Sequence, residues 1–314
     1  MSGLRERLLG GLYLDLNRDY RNTVFLAGSG RSGTTWLADI INYRREYRFI
    51  FEPFNPERVG ICRDFYSKQY LRPDDRREEF LDPARKILSG GVRSAWTDRF
   101  NRSFLARRRL VKDIRANLLL GWLHANFPEM PMVLLLRHPC AVAASRMALG
   151  WRDNLSETMR QEDLVEDFLR PMEGGIRSAK TPFERHLFLW CVDNYVPLMQ
   201  LSQNEAHLVF YENLVARPEE EIPRLFDALG VDLDERVYEK MKRPSPLSRN
   251  TSMRQPPDDW RERIDRNQLR RALEILALFG LDRVYGEDSM PDTGAAREMM
   301  RSRAGETSRW TARP

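Results

Sequence analysis

Residues 23–42 of the chain read TVFLAGSGRSGTTWLADIIN, and this stretch is the clearest indication of the fold. An apolar run ends at Gly28, a loop of small residues follows, and a helical pattern begins at Thr34. Glycine lets a loop backbone approach a ligand closely, and the free N–H groups at the start of a helix attract an anion. A strand, a small-residue loop and a helix in this order predict a phosphate-binding site.

The loop lacks the lysine of ATP- and GTP-binding loops, whose pattern is G-x-x-x-x-G-K-[ST]. Residues 28–35 supply both glycines and the final threonine, but Thr34 stands where the lysine should be, and the cation of the loop is Arg31. Magnesium-dependent nucleotide sites also use an acid after a second apolar strand. Asp113 is a poor candidate for that acid. The loop therefore predicts a site for the phosphates of a nucleotide without a metal ion.

Apolar runs with strand-like composition alternate with helix-like segments along the chain. This alternation implies crossover connections and a mainly parallel sheet. We predict an α/β fold, a P-loop-like parallel sheet of about five strands flanked by helices on both faces. The predicted strands are 23–28, 47–52, 108–113, 132–137 and 207–212, and the predicted helices are about 34–44, 117–127, 139–149, 158–170, 182–203, 218–229, 233–242 and 258–280.

The same pattern predicts one domain over residues 1–286. Residues 53–107 lie between the second and third strands as an insertion rich in arginine and aromatic residues. The polar, proline-bounded segment 244–257 is predicted to be a loop. The tail 287–314 lacks sustained periodicity, and we expect it to be disordered.

Composition narrows the class of ligand and the compartment. The net charge is +5, supplied mostly by arginine, which suits an anionic ligand. The sequence has no zinc spacing, basic-zipper pattern or aromatic RNA-binding signature, so we predict no nucleic-acid partner. Its three cysteines are far apart, which predicts reduced thiols and a cytoplasmic location. No apolar run approaches the ~20 residues that a membrane span needs.

Two motifs resemble the sulfotransferases that use 3′-phosphoadenosine 5′-phosphosulfate (PAPS) as sulfuryl donor. The loop GSGRSGTTWL resembles the family's 5′-phosphosulfate loop, and Arg31 falls on its basic position. The segment LLLRHPCAVAASRM, residues 134–147, resembles the 3′-phosphate segment, in which a strand ends in arginine and a serine follows eight residues later. Here these residues are Arg137 and Ser145. Weaker matches at 208–220 and 246–260 extend the resemblance over about residues 20–285.

The resemblance implies PAPS as a co-substrate, with no metal ion. It places Trp36 against the adenine ring and makes segment 244–257 a loop that covers the nucleotide. Judged without the resemblance, Trp36 would be a core residue, and Ser248 and Arg249 would be surface residues of that loop. The implied nucleotide-binding residues are Gly30, Arg31, Ser32, Gly33, Thr34, Thr35, Trp36, Arg137, Ser145, Tyr211, Ser248 and Arg249.

Glu52 is the predicted base that takes the proton of the acceptor hydroxyl. It ends the second strand, and ligands of parallel α/β sheets bind at the carboxyl ends of the strands. The resemblance supports this position, because carbohydrate sulfotransferases often place a glutamate there. Phenol and steroid enzymes instead use a histidine after the third strand, where this chain has Lys112 and Asp113. Asp113 is the alternative base, and a structural pairing of Glu52 with Arg48 is the non-catalytic alternative.

The resemblance further implies that Arg31 and Lys112 stabilise the transferred sulfuryl group. The acceptor is expected to be a hydroxyl-bearing molecule, a carbohydrate or a glycolipid, with residues 53–107 covering its site. Two other functions stay open at this point, a P-loop kinase or other ATP-using protein, and a non-catalytic protein that binds a nucleotide or a partner. The oligomeric state is also left open.

Overall fold

The computed structural model describes residues 13–244 and 257–301 of the chain. The seven strands in this part are β1 (Leu14–Asp15), β2 (Thr23–Gly28), β3 (Tyr47–Phe51), β4 (Leu105–Ala106), β5 (Arg108–Asp113), β6 (Met132–Leu136) and β7 (His207–Phe210). Five of them form a sheet in the order β3-β5-β2-β6-β7, and every neighbouring pair is parallel. β1 and β4 form a separate short parallel pair.

Helices connect and cover these strands. The α-helices are α1 (Thr34–Ile41), α2 (Glu78–Leu88), α3 (Leu120–Asn126), α4 (Pro139–Ala148), α5 (Leu155–Thr158), α6 (Glu162–Leu164), α7 (Glu173–Arg177), α8 (Pro182–Gln200), α9 (Tyr211–Ala216), α10 (Pro218–Ala228), α11 (Arg236–Met241), α12 (Arg266–Leu278) and α13 (Thr293–Arg301). Short 3₁₀ turns lie at Tyr20–Asn22, Gly60–Cys62, Asn117–Leu119, Arg170–Met172, Asp259–Glu262 and Leu281–Arg283, and a π turn lies at Val165–Leu169.

The predicted α/β class and the five predicted strands of the sheet are confirmed. Each strand begins at the predicted residue, and three of them end one or two residues early. Glu52, Arg137 and Tyr211 are therefore not sheet residues; each is the first residue beyond a strand. Their side chains are therefore not bound to point to one face or the other of the sheet, as side chains within a strand are.

Two hydrophobic cores lie on the two faces of the sheet. Side chains alternate along a strand, so Phe25 packs into one core and its neighbours Val24 and Leu26 pack into the other. The first core includes α3, α4 and α8, and the second includes α1 and α10. The predicted coverage of both faces by helices is confirmed.

The predicted continuous helix 158–170 is wrong. The chain instead forms α5, α6, a π turn and a 3₁₀ turn in succession. Gln161 lies at the first break with an extended backbone, φ −79° and ψ 98°. Its side-chain amide donates to the carbonyl of Lys68 at 2.8 Å and accepts from the amide of Tyr70 at 2.7 Å. These tertiary hydrogen bonds override the local helical preference.

The tail also differs from the expectation of disorder. α13 lies within residues 287–314, and its Ala296 and Met300 are buried against the first core. Their spacing of four residues places them on one helix face, so a single short stripe anchors the helix. Residues 302–314, and residues 245–256 of the predicted polar loop, lie outside the described part of the chain.

The insertion 53–107 contains α2 and β4, which the sequence pattern had not indicated. The three cysteines are free and buried, as predicted. No helix in the described ranges is long and apolar enough to cross a membrane.

Candidate active site

The predicted site residues converge on the carboxyl end of the parallel sheet. The phosphate loop follows β2, Glu52 follows β3, Asp113 ends β5, Arg137 follows β6 and Tyr211 follows β7. Because parallel strands end at the same edge, side chains far apart in sequence become neighbours there. The topology therefore places five separate stretches of sequence along one edge of the sheet.

The predicted phosphate loop, residues 29–33, joins β2 to α1 and contains two residues with a positive φ. Arg31 has φ 80°, and Gly33, which caps α1, has φ 101°. A Cβ atom at Gly33 would lie 2.9 Å from the ring of Tyr211, so only glycine fits without displacing that ring. The buried Ser32 hydroxyl has no hydrogen-bond partner among residues 13–244 and 257–301. A phosphate or sulfate oxygen held by the loop would satisfy such a donor.

The two motifs singled out in the sequence are in direct contact. The Nε of Arg31 donates to the Ser145 hydroxyl at 3.1 Å, across 114 positions of sequence. Nη1 of Arg137 donates to the carbonyl of Arg31 at 3.4 Å. The loop after β2 and the segment after β6 therefore form one cationic cluster.

Arg137 is buried and held from several sides. Its guanidinium lies 4.2 Å from the centre of the Tyr211 ring, and its backbone carbonyl accepts a hydrogen bond from Trp190 Nε1 at 3.0 Å. Its Nε bonds none of the residues that the structure describes. The carboxylate of Asp259 lies 3.6 Å from Nη2. Arg137 thus keeps a donor for an anion but has a competing carboxylate beside it.

Glu52 lies between two cations. Its Oε1 accepts from Lys112 Nζ and its Oε2 from Arg115 Nη1, both at 2.6 Å. Its backbone has a positive φ of 42°, and its carbonyl accepts from Trp96 Nε1 at 3.1 Å. Burial raises the pKa of Glu52, but the charges of Lys112 and Arg115 outweigh burial and hold the pKa below its ordinary value of 4.5. The carboxylate is therefore ionised at neutral pH.

The alternative pairing of Glu52 with Arg48 is not formed. Arg48 is fully buried and pairs with Asp15 and Asp98 instead. Lys112 is also buried, and burial lowers its pKa although Glu52 opposes that effect. In this arrangement Lys112 contacts the proposed base directly.

The carboxylate of Asp113 accepts hydrogen bonds from backbone amides, whereas that of Glu52 accepts from cationic side chains. One oxygen accepts from the amide of Phe54 and the other from the amide of Arg115, both at 2.8 Å. Its exposed fraction is 0%. Burial and the charge of Glu52 raise the pKa of Asp113 to about 6. Asp113 thus fixes the two turns that carry Glu52 and Arg115.

Trp36 packs beside Tyr211, another predicted nucleotide residue. Its side chain is 5% exposed, its ring centre lies 5.5 Å from that of Tyr211, and its Nε1 donates to the Met241 carbonyl at 3.3 Å. The contact of Trp36 with the adenine ring stays a prediction. Ser248 and Arg249 lie outside the described residues.

Sequence reasoning missed several polar residues of this region. Asp259 lies inside the weaker match 246–260, and Arg115 lies two residues after Asp113, but neither was singled out. Asp193 and Asn194 lie in the buried helix α8, which Thr181 begins with a capping box. The signal was present, because these two polar residues interrupt the apolar stretch FLWCVDNYV at 188–196. Buried polar side chains in such a helix need partners.

Comparison with known proteins identifies the family of this chain. Residues 23–235 match the sulfotransferase family. The nodulation protein NoeE of Sinorhizobium fredii is 30% identical over 220 residues, which are 66% of this chain and 50% of that protein. The chain thus spans about half the length of that relative.

Two solved structures are also similar over most of their length. A mouse sulfotransferase, SULT7A1, complexed with PAP is 14% identical, with 94% of this chain and 92% of that chain covered and a TM-score of 0.48. A sulfotransferase from Alicyclobacillus acidocaldarius is 17% identical, with 87% and 98% covered and a TM-score of 0.41. The family match covers well over half of the sequence, and the chain therefore belongs to the sulfotransferase family.

Proposed function

We propose that this sulfotransferase moves a sulfuryl group from PAPS to an acceptor hydroxyl on a carbohydrate or glycolipid. The observation that carries the proposal is the contact among Arg31, Ser145 and Arg137. The sequence motifs assign Arg31 to the 5′-phosphosulfate and the other two residues to the 3′-phosphate. One bisphosphorylated nucleoside can reach both groups only if they are close together, as they are here.

The nucleotide fits the donors that the site presents. The loop amides of Gly30–Thr35, the Ser32 hydroxyl and Arg31 would hold the 5′-phosphosulfate at the start of α1. Arg137 and Ser145 would hold the 3′-phosphate, with the Tyr211 ring packed on the arginine. Ser248 and Arg249 in the covering loop 244–257 remain predicted ligands from the family resemblance.

The reaction joins the acceptor oxygen to sulfur and breaks the bond between sulfur and the 5′-phosphate oxygen. By analogy with phosphoryl transfer, the protein contributes mainly positioning and stabilisation of charge on peripheral oxygens. Arg31 and Lys112 would stabilise the sulfuryl oxygens and the leaving phosphate. Glu52 would accept the proton of the acceptor hydroxyl. Adenosine 3′,5′-bisphosphate (PAP) leaves as the second product.

A mixed aromatic and cationic surface beside Glu52 supports a carbohydrate acceptor. Trp96 is partly exposed and bonds the Glu52 carbonyl. The exposed guanidinium groups of Arg58 and Arg99 lie 5.4 and 5.1 Å from the centre of its ring. Rings and arginine stems of this kind pack on sugars, and the guanidinium heads bind their oxygens. We therefore assign residues 53–107 to the acceptor side of the domain.

A thermal-shift titration tests the nucleotide. PAP without magnesium should stabilise the protein, by about 2.7 kcal/mol at a hundredfold excess over Kd. ATP with magnesium should do little, and the reverse result would favour a P-loop kinase.

Three free buried cysteines support a cytoplasmic location, where PAPS would have to be supplied.

Mass spectrometry then tests transfer and identifies the acceptor. Cell extract incubated with enzyme and PAPS should contain products heavier by one SO₃ unit. If PAP binds and no extract or acceptor panel yields such a product, the protein is a non-catalytic nucleotide-binding protein.

A further inference from the structure

A buried group of charges lies beneath the phosphate loop. Asp193 of α8 is 1% exposed, and its carboxylate accepts from Lys68 Nζ through both oxygens. The Ser29 hydroxyl donates to Asp193 Oδ2 at 3.1 Å, and Arg146 Nη2 lies 3.6 Å from the same oxygen. Two cationic side chains and one hydroxyl group therefore meet at one buried carboxylate. Buried ion pairs seldom stabilise a fold more than apolar residues of similar size, so stability alone is a weak reason for this cluster.

One side of the group holds the phosphate loop. Ser29 is the first residue after β2, and its hydroxyl also accepts from Asn194 Nδ2 at 3.2 Å. The Nε of Arg146 donates to the carbonyl of Gly30 at 3.1 Å. The first two loop residues are thus fixed by the same buried group. Their position determines where the loop amides point.

The other side of the group holds the acceptor-side insertion. Lys68 belongs to residues 53–107 and has a positive φ of 138°, which is unusual for a residue with a side chain. Its backbone is pinned by Gln161, which also fixes the amide of Tyr70. Strain of this kind persists only where surrounding bonds enforce it. The segment 66–70 is therefore held in one conformation by bonds that include the ion pair with Asp193.

We propose that Asp193 and Lys68 are positioning residues that couple the nucleotide loop to the acceptor side. Nucleotide on the loop further restricts the motion of Ser29 and Gly30, and the restriction passes through Asp193 and Lys68 to the segment 66–70. The coupling is reciprocal, so loosening Lys68 weakens nucleotide binding. The inference rests on the proposed function, because it takes the loop as the nucleotide site and residues 53–107 as the acceptor side.

Calorimetric titration with PAP tests the coupling without knowledge of the acceptor. Lys68→Met removes the charge at similar length and should weaken PAP by about 5- to 150-fold, the range of ordinary coupling energies. Lys68→Arg, which keeps the charge, should retain most of the affinity. Lys86→Met is the matched control, because Lys86 lies in the same insertion and forms an exposed pair with Asp82. Wild-type affinity in Lys68→Met would overturn the proposal.

Hydrogen exchange on the wild-type protein gives a second test that needs no variant to fold. Addition of PAP should slow amide exchange in residues 66–70 as well as in the loop. Protection of the loop with no change in 66–70 would overturn the coupling and leave the proposed function standing. If the wild-type protein binds no PAP, the proposed function and the coupling both fail.

Discussion

The proposed nucleotide region, made of Arg31, Arg137 and Ser145, and the proposed catalytic corner, made of Glu52, Lys112 and Arg115, are both cationic, but their cations have different partners. In the nucleotide region, Arg31 donates to the Ser145 hydroxyl and Arg137 to a backbone carbonyl, both neutral oxygens, while the carboxylate of Asp259 lies 3.6 Å from Arg137. In the catalytic corner, Lys112 and Arg115 both donate to the carboxylate of Glu52 at 2.6 Å. The first region is suited to receive anionic groups, and the second to keep one carboxylate ionised and fixed.

One edge of the sheet can therefore serve two chemical tasks, the binding of phosphate and the support of a base. A phosphate needs positive charge that a ligand can reach, whereas a base needs a lone pair that stays unprotonated. Two close cations secure the ionised form of Glu52 at the cost of basicity, because they lower its pKa. Proton transfer to such a carboxylate needs the acceptor held against it in the transition state. Changes in the two regions should therefore affect different steps.

The largest expected effect is that of Glu52→Gln. Loss of the base should lower kcat by roughly 10²- to 10⁴-fold, while PAP affinity stays within about twofold of wild type. Transfer from labelled PAPS to the acceptor found in the extract gives kcat, and calorimetry gives the affinity. Glu57→Gln, at an exposed position of the same segment, is the control. Turnover near the wild-type rate would shift the assignment to Asp113.

Arg137→Ala should have the opposite pattern. Loss of a charge-assisted hydrogen bond costs about 1.5–3 kcal/mol, which is a fall of roughly 10- to 150-fold in PAP affinity. Arg224→Ala, on the surface of α10 and paired with Glu221, should leave the titration unchanged. Equal affinities of Arg137→Ala and wild type would mean that the 3′-phosphate binds elsewhere.

The pH dependence of kcat/KM separates the two carboxylates. A base must be unprotonated, so activity falls as the pH drops through its pKa in the free enzyme. With Glu52 as the base, the acid limb should lie below pH 4.5, because its pKa is lowered. With Asp113 as the base, activity would already fall tenfold per unit below about pH 6. A limb near pH 6 would contradict the assignment of Glu52.

The smallest expected effect concerns the carboxylate that competes for Arg137. Asp259→Asn removes the charge 3.6 Å from Nη2 and should tighten PAP binding about two- to fivefold, as expected for an ion pair of modest strength. Asp258→Asn, at the exposed neighbouring position, is the control. Weaker binding in Asp259→Asn would show that Asp259 orients Arg137 rather than competing with the phosphate.

Local sequence patterns were enough to predict the sheet and the residues at the ends of its strands. The strands are short apolar runs, and the residues that compose and bound each run are neighbours in sequence. Each of the five sheet strands begins where its apolar run begins. Since ligands of parallel sheets bind beyond the strand ends, Glu52 could be selected without coordinates. The family resemblance, not this rule, selected Lys112 and Arg137. The loop around Arg31 could be selected because glycine, serine and threonine spacing is itself the signal.

Which of these residues contact one another, and what surrounds them, depends on tertiary packing. The pairing of Glu52 with Arg115 rather than Arg48 depends on how two turns meet. The broken helix at Gln161 and the ordered helix α13 depend on partners distant in sequence. Burial of Trp36 depends on where α11 packs. Such contacts are set by packing and by hydrogen bonds between distant segments, and no local pattern encodes them.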